Sequence, residues 1–148
     1  MKTVTNSEFQ TTMKKRTKEF AVRVIKLAEA LPNKRVCWDL GRQLLRSGTS
    51  VGANYRAACR ARSNAEFRAK LGIVEEEADE TLYWMELLIE SGLVKARRLT
   101  ALMTEADEIL RITVSAIKNT DDSDKAKRLI KTVSSKDSNL PQKRVRIR

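Results

Sequence analysis

Apolar residues recur along this chain at alternating three- and four-residue steps, the spacing that lines one face of an α-helix. In residues 6–31 they are Met13, Phe20, Val24, Leu27 and Leu31, with Thr17 filling one slot. Pro32 has no backbone N–H and disfavours helical geometry at Leu31, so the first helix should end there. In residues 36–62 the stripe is Cys37, Leu40, Leu44, Val51, Tyr55 and Cys59. Its middle, Ser47-Gly-Thr-Ser-Val-Gly-Ala53, is poor in helix formers. A loop is one reading of it. The other is a continuous helix, because Leu44, Val51 and Tyr55 stay in phase, and Gly48 and Gly52, four apart, would then admit a neighbouring backbone. The phase favours the helix.

Ser63 followed by Glu66 is a capping box, which satisfies orphan amides at a helix start. Phe67, Leu71, Val74, Ala78, Leu82, Met85 and Ile89 form the third stripe, and Gly92 stands where a left-handed terminator belongs. The fourth segment, residues 95–118, carries Leu99, Leu102, Ala106, Ile109, Thr113 and Ala116. No Asn-Gly or Asp-Gly turn separates alternating runs, so strands are not expected. Four amphipathic helices with short connections predict an all-α fold, an antiparallel up-and-down four-helix bundle over residues 1–118.

From residue 119 the periodicity weakens, and a disordered basic C-terminal tail is expected over residues 119–148, with one short helical turn within residues 125–133. Lys143, Arg144, Arg146 and Arg148 follow Pro141. Such a tail is either a nucleic-acid-binding arm or a solvated end with no dedicated partner.

Composition narrows the function. The chain has 148 residues, a net charge of +11 and no histidine. The charge points to polyanions such as nucleic acid, or to solubility alone. The absence of histidine argues against Ser-His-Asp and Cys-His chemistry and against most zinc sites. No apolar run approaches the roughly 20 residues of a bilayer span, and no secretory signal pattern opens the chain. Two cysteines, Cys37 and Cys59, are expected to be reduced thiols of a cytoplasmic protein.

Arg35, Arg42, Arg46, Arg56 and Arg60 fall near one edge of the second helix, with Thr49 and Ala53 filling the gap. Guanidinium forks suit phosphate oxygens, and a row of them on a rigid helix can follow a nucleic-acid backbone. The competing reading pairs them with carboxylates of a neighbouring helix. The third helix supplies candidates in Glu77 and Glu80, which would fix register or subunit choice. Its wider acidic cluster does not read as a di-iron site, which wants Glu-x-x-His pairs. Tyr83 and Trp84 are adjacent, so one of them should face a neighbour or another subunit. Gly48-Thr-Ser-Val-Gly52 lacks both the spacing and the preceding strand of a phosphate loop.

Three stretches resemble one family. Gln43-Leu-Leu-Arg-Ser-Gly-Thr-Ser-Val-Gly-Ala-Asn54 is similar to the signature of the four-helix-bundle proteins encoded within intervening sequences of bacterial 23S ribosomal RNA genes. Glu77-Ala-Asp-Glu-Thr-Leu-Tyr-Trp-Met-Glu-Leu-Leu88 resembles its second signature, and Phe20-Ala-Val-Arg-Val-Ile-Lys-Leu27 its opening helix. The resemblance covers residues 17–118. It implies a bundle that assembles into a ring, with a homopentamer preferred, and no catalytic activity or cofactor. It makes Asn54, Gly48 and Gly52 structural or interface positions. One departure is Ala57, where the family usually carries an acidic residue. More distantly, the fold is similar to the accessory variability determinant of diversity-generating retroelements, which implies a reverse transcriptase as an alternative partner. The resulting expectation is a non-catalytic homo-oligomer that binds nucleic acid, RNA above all, without membrane contact. A ring-forming protein-interaction or accessory subunit is the alternative.

Overall fold

The structure, a computed structural model, describes residues 6–137. Four helices make up the fold: α1 Asn6–Ala30, α2 Arg35–Ala58, α3 Asn64–Glu90 and α4 Ala96–Asp137. Connections of four or five residues turn each helix back on the last. α2 packs between α1 and α3, α3 packs between α2 and α4, and α1 touches α4 over a shorter stretch. The result is the antiparallel bundle that the periodicity predicts.

The helix ends have local causes. The Ser63 side chain accepts a hydrogen bond from the Glu66 amide at 3.1 Å, and Glu66 Oε2 accepts one from the Arg62 amide at 2.8 Å. The reciprocal bond of the capping box thus lands one residue before the cap. At the other end of α3, Gly92 adopts φ +74, a backbone region that side chains disfavour. The Leu93 amide then bonds the Leu88 carbonyl at 3.0 Å and the Gly92 amide bonds Ile89 at 2.9 Å, the Schellman pattern.

The core joins Met13, Phe20 and Val24 of α1 with Leu44, Val51 and Tyr55 of α2, Leu71, Val74, Ala78, Met85 and Leu88 of α3, and Leu99, Ala106 and Ile109 of α4. On α3 the most buried line runs through Thr81 and Leu88, while Leu82 and Ile89 are half-buried. Hydropathy alone places Leu82 and Ile89 on that line. Thr81 takes the central slot because its hydroxyl has partners there, the Glu77 carbonyl at 2.7 Å and Ser47 Oγ at 2.9 Å.

α2 runs unbroken through residues 47–53, and its glycines form the seam with α1. A Cβ at Gly52 would stand 3.2 Å from the Thr17 carbonyl oxygen, and one at Gly41 would stand 3.3 Å from Leu31 Cδ1. Thr17, fully buried in this seam, satisfies its hydroxyl against the Met13 carbonyl at 2.8 Å.

α4 departs from the pattern-based boundary at residue 118 and continues to Asp137. Its extension is anchored at the foot of α3. Arg68 Nε lies 3.1 Å from Asp121 and its Nη1 2.5 Å from Asp124, while Asn64 donates to Asp124 at 2.6 Å. No glycine or proline interrupts residues 119–137. The expectation of a tail from residue 119 with only one short helical turn within residues 125–133 did not include this anchoring, because the anchor lies some 55 residues away in sequence. α3 begins at Asn64, level with Asp124, so residues 125–137 project past the bundle by about 20 Å at 1.5 Å per residue.

Candidate nucleic-acid interface

The outer face of α2 is set by its inner one. With Cys37, Leu44, Val51 and Tyr55 turned into the core, the opposite side carries Arg35, Arg42, Arg46 and Arg56, all exposed. Arg60 follows in the closing turn, where its amide bonds the Ala57 carbonyl. Continuity through Gly48 and Gly52 matters here. A loop would have broken the row, and the close approach of α1 holds it straight over about 32 Å from Arg35 to Arg56.

The five arginines are not equivalent. Arg46 crosses to α3, bonding Glu80 and lying 3.5 Å from Glu77. The bond it donates to Glu80 raises its pKa, so it stays charged at any accessible pH. Glu80 also accepts from the Trp84 indole at 3.2 Å, which orients both groups. Burial raises the Glu77 carboxyl above its usual range while Arg46 pulls the other way, and Glu77 Oε2 is buried with no hydrogen-bond partner among the described residues. Glu77 and Glu80 thus hold the α2–α3 seam within one subunit. Arg42 lies 3.0 Å from Asp39 one turn back, an exposed pair worth little. Arg35, Arg56 and Arg60 make no ion pair among the described residues.

Two further networks close the bundle. Arg16 of α1 reaches Glu105 at 2.6 Å and also bonds Glu108, joining α1 to α4; the Glu105 bond raises the Arg16 pKa still further. Arg68 and then Asn64 lower the Asp124 pKa. Neither network has a signature in local spacing.

The remaining expected positions separate cleanly. Asn54 is half-buried and donates to the Ser50 carbonyl at 2.9 Å, a bond within its own helix. Tyr83 is 51% exposed, whereas Trp84 packs against the core, with ring centroids 5.1 Å apart in an edge-to-face pair. Lys143, Arg144, Arg146 and Arg148 lie outside the described residues. Cys37 and Cys59 are free thiols. No group of His, Cys, Asp or Glu among the described residues is arranged to hold a metal ion, and no helix is long and apolar enough to cross a membrane.

One feature has no counterpart in the sequence reading. A cleft of about 850 Å³ opens at the end of the bundle between the start of α1, the end of α2 and the middle of α4. Phe9, Tyr55, Phe67 and Ile112 line its floor, and Arg62 and Arg111 stand among its polar residues. Burial, then the neighbouring Cys59, raises the Tyr55 phenol pKa. With Arg56 and Arg60 close by in sequence, this end of α2 gathers exposed cations where the helix dipole also favours them.

The comparisons agree with this architecture. A crystal structure of a protein of unknown function from the S23 ribosomal protein family of Bacteroides thetaiotaomicron VPI-5482 is 41% identical to this chain. The match has a TM-score of 0.67 and covers 71% of this chain and 97% of that one. None of the curated proteins matches. The sequence model of the 23S rRNA-intervening sequence proteins matches residues 10–115, the bundle without the α4 extension. By fold, signatures and this match, the chain belongs to the 23S rRNA-intervening sequence protein family.

Proposed function

We infer that the chain is a non-catalytic, homo-oligomeric bundle that binds RNA by phosphate contacts along the outer face of α2. The observation that carries this reading is the set of exposed arginines with no ion pair among the described residues, Arg35 and Arg56 on the rigid α2 and Arg60 in the turn after it, in a chain with net charge +11. Arg42 joins them, because an exposed pair with Asp39 yields readily to phosphate. Arg46 does not, since its guanidinium is engaged by two carboxylates of α3. The basic residues beyond the described region, Lys143, Arg144, Arg146 and Arg148, add further charge. The family description, which names an intervening sequence of 23S rRNA, supports RNA as the polymer.

The test is a salt titration of RNA binding. On single strands each neutralised phosphate contributes about 0.7 to the slope of log affinity against log salt. Replacing Arg35, Arg42, Arg56 and Arg60 by glutamine should lower affinity and reduce the slope by about two to three. Unchanged affinity in a folded quadruple variant would remove the reading.

Self-assembly is the second component, with five subunits the preferred count. Exposed aromatics support it: Trp38 is 62% exposed and Tyr83 51%. Native mass spectrometry showing a monomer at micromolar concentration would exclude it.

A further inference from the structure

Past Asp124, residues 125–133 of α4 are all exposed, yet they are not purely polar. Leu129, Ile130 and Val133 are 67%, 69% and 62% exposed, and with Trp38 they are the most exposed large apolar residues among those described. At 100° per residue they and Ala126 share one side of the helix. Lys125, 3.9 Å from Asp122, flanks that side at one edge and Lys127 at the other, while Arg128 and Lys131 lie on the far side of the helix. Lys127, Arg128 and Lys131 make no ion pair among the described residues. The aliphatic stems of Lys125 and Lys127 widen the apolar surface while their charges stay outside it.

A surface of complementary character lies on α3. Glu76, Asp79, Tyr83, Glu86 and Glu90 follow at steps of three, four, three and four, and all five are exposed. None of the four carboxylates makes an ion pair among the described residues. Unpaired carboxylates in a row are conspicuous on a chain with net charge +11. At the centre of the row stands Tyr83, the exposed half of the aromatic pair whose other half, Trp84, is fixed by its bond to Glu80.

We propose that the α4 extension docks across this outer face of α3 in a second copy of the chain. The extension cannot reach its own α3 face. It leaves the bundle at the level of Asn64 and points away from residues 76–90. In a second copy the fit is specific. Leu129, Ile130 and Val133 cover the ring of Tyr83 where the helices cross. Lys125 on one flank and Lys127 on the other then reach the carboxylates above and below that ring. RNA would satisfy the lysines but leaves three large aliphatic side chains in water, so protein is the better occupant. The two surfaces differ, so the contact is head-to-tail, and repeating it closes a ring or extends a filament. The docking rests on the inferred self-assembly and not on RNA binding. The extension lies outside the family match, so this contact is a property of this chain rather than of the shared bundle.

The test uses the full chain, nuclease-treated. A photoreactive p-benzoylphenylalanine at position 83, on mixed isotope-labelled and unlabelled protein, should yield adducts between copies that map to residues 126–133. Adducts that map elsewhere overturn the docking. In parallel, Lys125→Glu with Lys127→Glu, and separately Asp79→Lys with Glu86→Lys, should each weaken self-association about tenfold. Joining all four substitutions in one chain should restore it. Failure of that rescue, with helicity intact by circular dichroism, overturns the proposal. If the charge variants keep the oligomeric mass of the unaltered chain, the docking fails while assembly stands. If the unaltered chain is itself monomeric, both fail.

Discussion

Gly48 of α2 lies directly on Val24 of α1: a Cβ at position 48 would stand 2.7 Å and 2.8 Å from the two Val24 methyl carbons and 3.0 Å from its Cβ. Val24 is fully buried and branched at its own Cβ, so it cannot swing aside. Alanine would gain about 1 kcal/mol of helix propensity over glycine, but overpacking a tight contact costs about 1–3 kcal/mol. The steric term should win. Gly48→Ala is expected to lower the melting temperature, and Val24→Ala in the same chain should recover part of the loss that the two single changes predict. Gly52→Leu meets the Thr17 backbone instead, so no single side-chain truncation should rescue it.

The buried hydroxyl pair of Ser47 and Thr81 supports a second prediction. Thr81→Val keeps the shape and deletes the donor that reaches Ser47 Oγ at 2.9 Å. A loss of about 1 kcal/mol is expected in urea denaturation. Ser47→Ala together with Thr81→Val should lose less than the sum of the two single changes, because the double change also removes the buried Ser47 hydroxyl, which Thr81→Val leaves with only its 3.3 Å bond to the Leu44 carbonyl. Strict additivity would show that the pair is not coupled.

Asp124 gives a pH dependence of known sign. Its bonds from Arg68 and Asn64 lower its pKa in the folded state from the ordinary 3.8. A lowered carboxylate contributes stability above about 3.8 and loses it as pH falls through the folded value. Asp124→Asn should therefore melt below the unaltered chain at neutral pH, and the gap should narrow at pH well below 3.8. Glu77 has the opposite sign, because burial raises its pKa. Its contribution weakens as pH rises above the ordinary 4.5, so Glu77→Gln should compare better with the unaltered chain at pH 7 than at pH 4. Melting curves of both variants across that range check the two signs together.

Arg46 and Arg56 differ in role although both sit on the outer face of α2. Arg46→Gln should reduce stability by opening the contacts to Glu77 and Glu80, and should leave the salt slope of RNA binding nearly unchanged. Arg56→Gln should leave the melting temperature unchanged and lower the slope by about 0.7 on single strands. Thermal melts and salt titrations on the same two proteins separate the roles. Reversal of the pattern would place the phosphate contacts at the α2–α3 seam.

Much of this architecture was legible in the order of the residues. Pro32, Ser63 and Gly92 mark helix ends through effects that act within a turn: a missing N–H, a capping hydroxyl and a permitted positive φ. The stripes of Met13 to Leu31 and Leu99 to Thr113 sort inside from outside because a helix repeats its faces every few residues. The phase of Leu44, Val51 and Tyr55 carried α2 through a segment whose propensities argue for a loop. What the order of the residues left open was which distant groups would meet. Arg46 finds Glu80 34 positions away, and Arg16 finds Glu105 89 positions away. Arg68 anchors Asp121 and Asp124 and so turns an expected tail into nineteen further residues of helix between 119 and 137. Caps and periodicity are short-range and read directly from neighbours. Ion pairs between helices and the fit of Gly48 against Val24 depend on how whole helices are placed, and packing of the shared core decides that.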